Sequence, residues 1–265
     1  MSEIVKTEAI VLKTMKYRET SKIMTYFTLE HGKISAILKG ARSSKTMYGT
    51  ALEPMSYVAI ILYEKKGRDL QTVTQCELVR SYRNLFEDFD KMGIGMVIIE
   101  LVRHVAHEQE KNTKLFHLLE KTLSTLNDAT RNAINLFYYF EIRLAQILGF
   151  SPSFRYCASC KVDVLALKIE KKKITFDMEN GSPLCGKCLS SSGQKVLLSQ
   201  GALESLDFLA NEDEEGRVIE HYLEIGTELE IESFLFAYLR RHVSGMKVLK
   251  SRRLFANLQR VESAG

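Results

Sequence analysis

The stretch Lys33-Ile34-Ser35-Ala36-Ile37-Leu38-Lys39-Gly40-Ala41-Arg42 decides how the first third of the chain is read. Period-two alternation puts Ile34, Ala36 and Leu38 on one face and Lys33, Ser35, Ile37 and Lys39 on the other, the pattern of a half-buried strand. Two lysines therefore share an outward face and lead directly into Gly40-Ala41-Arg42. The run continues through Ser43 and Ser44 to Lys45-Thr46, which gives it the look of a phosphate loop. A G-x-x-x-x-G-K-[ST] loop, however, needs its second glycine so that backbone N–H groups can close round the phosphate. Here the spacing is one residue short and that glycine is missing, so the nucleotide-site reading is weak.

The neighbouring segments repeat the strand pattern. Residues 4–13, 22–29, 33–39, 55–63 and 70–77 are rich in Val, Ile, Thr, Tyr and Phe, with turns marked by His31-Gly32 and Lys66-Gly67-Arg68-Asp69. Five short strands in about this length fit a small, partly open β-barrel of the OB type. From about Leu85 the period becomes helical, over 92–107, 115–126 and 133–148. The last of these is apolar nearly all round, which predicts a buried central helix, and Gly149 with Pro152 supplies its stop. Residues 203–210 and 228–243 also read as helices, with Asn211-Glu212-Asp213-Glu214-Glu215-Gly216 an exposed acidic loop between them. The expected architecture is α+β and multidomain. An OB-fold barrel occupies 1–80, and an all-helical domain is formed by 81–152 and 195–265. A four-cysteine metal insert spans 153–194.

The 265-residue chain carries a net charge of +4 that is unevenly spread. Residues 1–80 hold 13 Lys and Arg against 8 Asp and Glu; residues 201–239 hold 1 against 11, and residues 240–265 hold 7 against 1. Basic charge gathered at the N-terminal region, round the cysteines and at the C-terminal end is what a polyanion binder needs, although solvated lysines alone would look the same. Apolar runs such as Val58 to Tyr63 are far short of the roughly 20 residues of a membrane helix. MSEIVKTEAI has no central apolar segment of a secretory signal. A cytoplasmic protein with no membrane partner is expected.

The most specific chemical signal is Cys157-Ala158-Ser159-Cys160, then 24 residues, then Cys185-Gly186-Lys187-Cys188. Two such knuckles can place four thiolates tetrahedrally about Zn²⁺ at ~2.3 Å each, a closed site whose role is structural. A metal-free pair and an iron–sulfur cluster are the alternatives. Between the knuckles, Lys171-Lys172-Lys173 and an Asn180-Gly181 turn predict a hairpin carried by the metal, its lysines either touching phosphate or simply solvated. Cys76 in the fifth strand reads as a small core residue.

Enzyme signatures are missing. His221-Tyr222-Leu223-Glu224 has the wrong spacing for a zinc deaminase, and Lys111 stands where a metalloprotease helix beginning at His107-Glu108 would need its second histidine. With no G-x-S-x-G or G-x-G-x-x-G, a binding protein is expected and not an enzyme.

Taken in order, several local sequences resemble the bacterial RecO recombination-mediator family across nearly the whole chain. They are Thr7-Glu8-Ala9-Ile10-Val11-Leu12-Lys13, then Tyr17, Glu19, Thr28, Gly32 and Lys33, then Lys39-Gly40-Ala41-Arg42. Leu148-Gly149-Phe150 with Pro152 and Leu249-Lys250-Ser251-Arg252 complete the series. Lys161 departs from it, standing where many relatives have glycine after the first knuckle.

The resemblance implies a protein that binds single- and double-stranded DNA and anneals complementary strands. With RecR, it would help load RecA onto DNA coated by single-strand-binding protein, in the bacterial cytoplasm at the nucleoid. Lys33, Lys39, Arg42 and Lys45 would then grip a polynucleotide backbone, with Lys171, Lys172, Lys173, Lys250, Arg252 and Arg253 as further DNA contacts. The C-terminal group, which includes Lys247, could instead receive the acidic tail of single-strand-binding protein or cap the last helix. Tyr17, Tyr26 and Tyr48 are candidates for base stacking, whereas Tyr57 and Tyr63 are expected to pack in the core. The alternative function is a zinc-ribbon and OB interaction protein binding RNA or a protein partner in transcription or translation. A metal-dependent nucleic-acid enzyme ranks third.

Overall fold

The computed structural model describes residues 2–42, 48–65, 67–167, 173–189 and 193–246. The chain divides into two compact units, one running to Asp128 and the next beginning at Ala129.

In the first unit all five expected strands form: β1 (Ser2–Tyr17), β2 (Ser21–Thr28), β3 (Gly32–Leu38), β4 (Tyr57–Lys65) and β5 (Leu70–Arg80). β1 is long enough to serve two neighbours. Its first half pairs antiparallel with β4, from Ser2 opposite Lys65 to Ile10 opposite Tyr57, and its second half pairs with β2, from Ala9 opposite Thr28 to Tyr17 opposite Ser21. A register shift between Val11 and Lys13 bends the strand at this change of partner, as a bulge does. The order is β1-β2-β3-β5-β4, and β4 returns to β1. The parallel seam between β3 and β5 is only four residue pairs long, Ser35 opposite Leu70 to Leu38 opposite Val73, and is where the barrel is nearest to open. Inward alternation is strict: Ile34, Ala36 and Leu38 join Met24, Tyr26, Val58, Ile60, Leu62 and Val73 in the barrel core. Cys76 is buried there too, as expected, and burial pushes its thiol up to about 11.

Three helices continue this unit: α1 (Arg83–Glu87), α2 (Phe89–Val105) and α3 (Thr113–Asp128). Asp88 caps α2, its carboxylate accepting from the N–H groups of Asp90 and Lys91 at 2.9 and 3.1 Å. Phe116 of α3 meets Phe27 and Tyr57 with ring centroids 6.1 Å away, so α3 covers part of the barrel wall. Gly32 sits at φ +64°, and a Cβ added there would stand 2.0 Å from the Glu110 carbonyl oxygen. Only glycine allows both that conformation and so close an approach.

The second unit begins with α4 (Ile134–Ile147), and ten of its fourteen residues are buried, from Asn135 to Ala145, as the all-round apolar pattern predicts. Leu148 caps the end of α4, and Gly149 at φ +89° turns the chain away. The cysteine region follows with β6 (Lys173–Asp177), β7 (Ser182–Leu184) and β8 (Lys195–Ser199), in the order β7-β6-β8. The hairpin expected round Asn180-Gly181 is β6–β7; β8 has no counterpart among the expected strands. α5 (Gln200–Asn211), α6 (Glu215–Val218) and α7 (Ile225–His242) complete the unit. Phe154, Phe176, Phe234 and Tyr238 form its aromatic centre, with Phe176 and Phe234 edge-on at 4.8 Å.

The expected exposed loop at 211–216 is corrected in part: Asn211, Asp213, Glu214 and Gly216 are exposed, but two of its carboxylates are not. Glu212 is 8% and Glu215 2% exposed, and α6 starts inside the stretch. The cause is Arg143 on buried α4, whose guanidinium donates to the Glu212 carbonyl and to Asp213 Oδ1 (2.9 Å), while Arg217 pairs with the Glu212 carboxylate at 3.3 Å. A guanidinium on a core helix needs acceptors, and this acidic run supplies them.

Candidate metal centre and nucleic-acid interface

The two knuckles converge. The sulfurs of Cys157, Cys160, Cys185 and Cys188 all lie within 4.8 Å of one another, and Cys160 Sγ stands 3.6 Å from Cys185 Sγ, close to the ~3.7 Å between ligands of a tetrahedral four-thiolate site. Backbone hydrogen bonds build this geometry. Cys157 N–H donates to the Val162 carbonyl at 2.9 Å and Ala158 N–H to Pro183 at 2.8 Å, lacing the first knuckle to β7, which delivers Cys185. Lys161 closes the first turn at φ +59°, a left-handed conformation that explains why glycine suits this place. Cys185 N–H donates to Cys157 Sγ at 3.4 Å.

Burial raises the Cys157 thiol, but hydrogen bonds from the backbone of Cys185, Cys160 and Ser159 outweigh it and bring it down to about 6. Hydrogen bonds with the Cys185 and Cys160 sulfurs push Cys188 the other way, up to about 12. Four crowded thiols cannot all ionise by themselves, and a cation among them removes that conflict. The donor set therefore fits a metal ion, and with four sulfurs it leaves no open coordination position.

In the barrel unit the basic residues part company. Lys39 and Arg42 are exposed, but Lys33, of the same strand parity as Lys39, is built into the fold. Its side chain is 14% exposed, its ammonium donates to the Arg103 carbonyl in the last turn of α2 at 3.0 Å, and it stands 3.4 Å from Glu108. Lys33 O accepts from Gln109 N–H at 2.9 Å as well. The expected polynucleotide contact is thus a strut between β3 and the end of α2, where carbonyls carry partial negative charge.

Lys39 borders a cleft of about 510 Å³ with Tyr17, Arg18, Glu19, Thr20, Ser21 and Ile37. The β1–β2 turn and the segment after β3 are tied together across it: Arg42 N–H donates to the Thr20 carbonyl at 2.9 Å and its guanidinium to the Arg18 carbonyl at 3.1 Å. Arg18 itself, at φ +51°, lays its guanidinium 5.3 Å from the Tyr17 ring centroid. Sequence reasoning missed Arg18. Its signal was the Tyr17-Arg18 pair beside a turn, but strand parity says nothing of loop residues.

Among the tyrosines, Tyr26 is fully buried and Tyr48 packs against the barrel core, which leaves Tyr17 of the first three available to a ligand. Tyr57 packs as expected, donating to Glu8. Tyr63 does not, and lies on the outer wall. Lys173 is exposed at the start of β6. Lys45, Lys171, Lys172, Lys247, Lys250, Arg252 and Arg253 lie outside the described residues. Among the described residues no helix is long and apolar enough to cross a membrane.

Comparison with known proteins joins the two sites in one family. Residues 1–82 match the family Recombination protein O N terminal and residues 86–253 match Recombination protein O C terminal. The chain is similar to the DNA repair protein RecO of Salinibacter ruber, 39% identical over 57% of this chain and 58% of that one. It resembles that of Pelodictyon phaeoclathratiforme at 38% over 74% and 76% of the two chains. It also matches that of Chloroherpeton thalassium, at 28% over 96% and 98%.

Proposed function

Because the chain belongs to the recombination protein O family, we propose that it is a mediator of recombinational DNA repair, a binding protein and not an enzyme. In this reading it holds single- and double-stranded DNA on its barrel unit and anneals complementary strands. With RecR, it helps load RecA onto single strands coated by single-strand-binding protein, in the cytoplasm at the nucleoid.

The observation that carries the DNA reading is the cleft bordered by Arg18 and Lys39, with half-buried Tyr17 at its edge and exposed Arg42 bonded to the Arg18 and Thr20 carbonyls beside it. Cations of this kind neutralise phosphates and an aromatic face stacks on a base for ~1–3 kcal/mol without reading its edges, which suits binding of any sequence. Two strands neutralised on one surface no longer repel, and that repulsion is what slows their pairing. Lys45, Lys171, Lys172, Lys173, Lys250, Arg252 and Arg253 extend the basic surface in this reading. Zn²⁺ is the metal proposed for Cys157, Cys160, Cys185 and Cys188, where it supplies a structural cross-link. The residues round it do the rest, Ala158 N–H and Pro183 O fixing the first knuckle to β7.

The test is a fluorescence annealing assay with complementary oligonucleotides across a salt series, without ATP. Annealing that weakens with salt is expected, and Lys39→Ala with Arg42→Ala should lower the slope of log affinity against log salt by about 1.4, at about 0.7 per phosphate for single strands. Well-folded protein that neither binds nor anneals DNA would sink the proposal and favour an RNA or protein partner for the barrel.

A further inference from the structure

The barrel carries a second surface that the cleft does not include. Along β1 the inner residues Val5 and Thr7 alternate with outward Ile4, Lys6 and Glu8; along β4, inner Ile60 and Leu62 alternate with outward Ile61, Tyr63 and Lys65. Register places Ile4 directly opposite Tyr63, Lys6 opposite Ile61, and Tyr63 opposite Thr72 of β5. Neighbouring strands lie about 4.8 Å apart, so these side chains form one continuous wall. Ile4 is 64% and Tyr63 45% exposed, although every strand of the barrel has neighbours on both sides and the core does not need them.

On β1 and β4 the charged side chains next to this apolar pair on the outward face are Lys6, two residues beyond Ile4, and Lys65, two beyond Tyr63. Lys6 and Lys65 are exposed on the same face, and the turn after Lys65, closed by Arg68 N–H to the Lys65 carbonyl at 3.2 Å, adds exposed Arg68. None of the three makes an ion pair among the described residues. The carboxylates lie farther along: Glu8 accepts from the Tyr57 hydroxyl, exposed Glu77 stands opposite Ala59, two outward positions from Tyr63, and exposed Asp69 follows Arg68 in the turn. Thr72 and Thr74 complete the wall with hydroxyl groups. An aromatic ring with an aliphatic neighbour, flanked by cations, matches a ligand with flat apolar groups strung on a polyanion.

We propose that this β1–β4–β5 wall is a second binding track for single-stranded nucleic acid, with Tyr63 as the stacking platform, Ile4 beside it and Lys6, Lys65 and Arg68 on the phosphates. The inference rests on the nucleic-acid reading of the barrel. The wall and the cleft lie toward opposite ends of β1, Ile4 and Tyr17 being 13 residues apart, about 40 Å of strand path. The wall thus offers the barrel unit a place for a strand besides the cleft.

The chain contains no tryptophan, so a single introduced one reports its own site. The full-length, metal-loaded Tyr63→Trp and Tyr17→Trp proteins are each titrated with oligo-dT. Both should be quenched, and Lys6→Glu with Lys65→Glu should abolish quenching at the wall while leaving it at the cleft. Conversely, quenching at the wall should survive Lys39→Ala with Arg42→Ala. In the otherwise unchanged chain, Tyr63→Ala should weaken the second of two bound strands about tenfold. Quenching at the cleft with a silent wall overturns this inference and leaves the cleft standing. Silence at both overturns the nucleic-acid reading itself, and this inference with it.

Discussion

Lys33 and Lys39 share a strand face, and Lys33→Ala and Lys39→Ala should nevertheless behave as opposites. Lys33→Ala removes a charged hydrogen bond to the Arg103 carbonyl from a nearly buried position, about 1.5–3 kcal/mol for such a bond. The pairing with Glu108 adds little, because that carboxylate is largely in water. A loss of about 2 kcal/mol, divided by a urea dependence of roughly 2 kcal/mol per molar, lowers the unfolding midpoint by about 1 M. The salt slope of single-strand binding should stay as it was. Lys39→Ala should do the reverse, leaving the midpoint unmoved and reducing the slope by about 0.7. The measurements are urea denaturation followed by far-UV circular dichroism and fluorescence anisotropy with labelled oligo-dT at several salt concentrations. A Lys33→Ala protein with an unmoved midpoint and a flattened slope would refute the reasoning, because the ammonium would then be spending its charge on phosphate.

Further outcomes follow from the same structure. Gly32→Ala should cost about 3 kcal/mol or more in thermal or urea unfolding, since it combines a left-handed backbone with a collision against the Glu110 backbone that no side-chain rotation relieves. Lys161→Gly should do the unusual thing and stabilise the metal-loaded unit by roughly 0.5–1 kcal/mol, by relieving φ +59° at the loss of one exposed bond to Ala158; a lower melting temperature would contradict it. Metal analysis should find one zinc per chain, and removing it with a chelator, or replacing Cys157 with Ser, should unfold the β6–β7–β8 module as judged by loss of amide protection. Burial alone would raise the Asp177 carboxyl, but the Asn180 side chain and the N–H groups of Asn180 and Glu179 hold it below its ordinary value. Its contribution is therefore present above pH ~4 and lost as pH falls through the lowered value. Asp177→Asn should remove that part of the acid sensitivity, and an unchanged acid limb of the stability profile would count against it.

The barrel strands, the long helices and the cysteine cluster were legible because each has a local cause: parity for Ile34, Ala36 and Leu38, an all-round apolar surface for α4, two C-x-x-C turns for the metal. What was not legible depends on partners far along the chain. Parity puts Lys33 and Lys39 on one face but cannot say that the end of α2 lies over the first and not the second. The acidic run at 211–216 reads as solvated until Arg143, about 70 residues earlier, is seen to need its oxygens. β8 is too short to announce itself and forms because β6 offers it an edge. Tyr63 sits in an apolar run, yet strand alternation inside that run turns it outward.

The four-pair seam between β3 and β5 has a kinetic side. The three strands β1, β2 and β3 are joined by short turns and can assemble locally, whereas Ser35 and Leu70 must meet across a loop on the order of 35 residues, after β4 has found the far half of β1. The seam is thus the last part of the ring to close and the first to part. Its amides should exchange with solvent ahead of those between β1 and β4, and β3 should be able to leave β5 momentarily without unfolding the rest. Because β3 runs directly into Lys39 and the loop tied by Arg42, the rim of the cleft sits on the strand with the looser hold and should move whenever the seam opens.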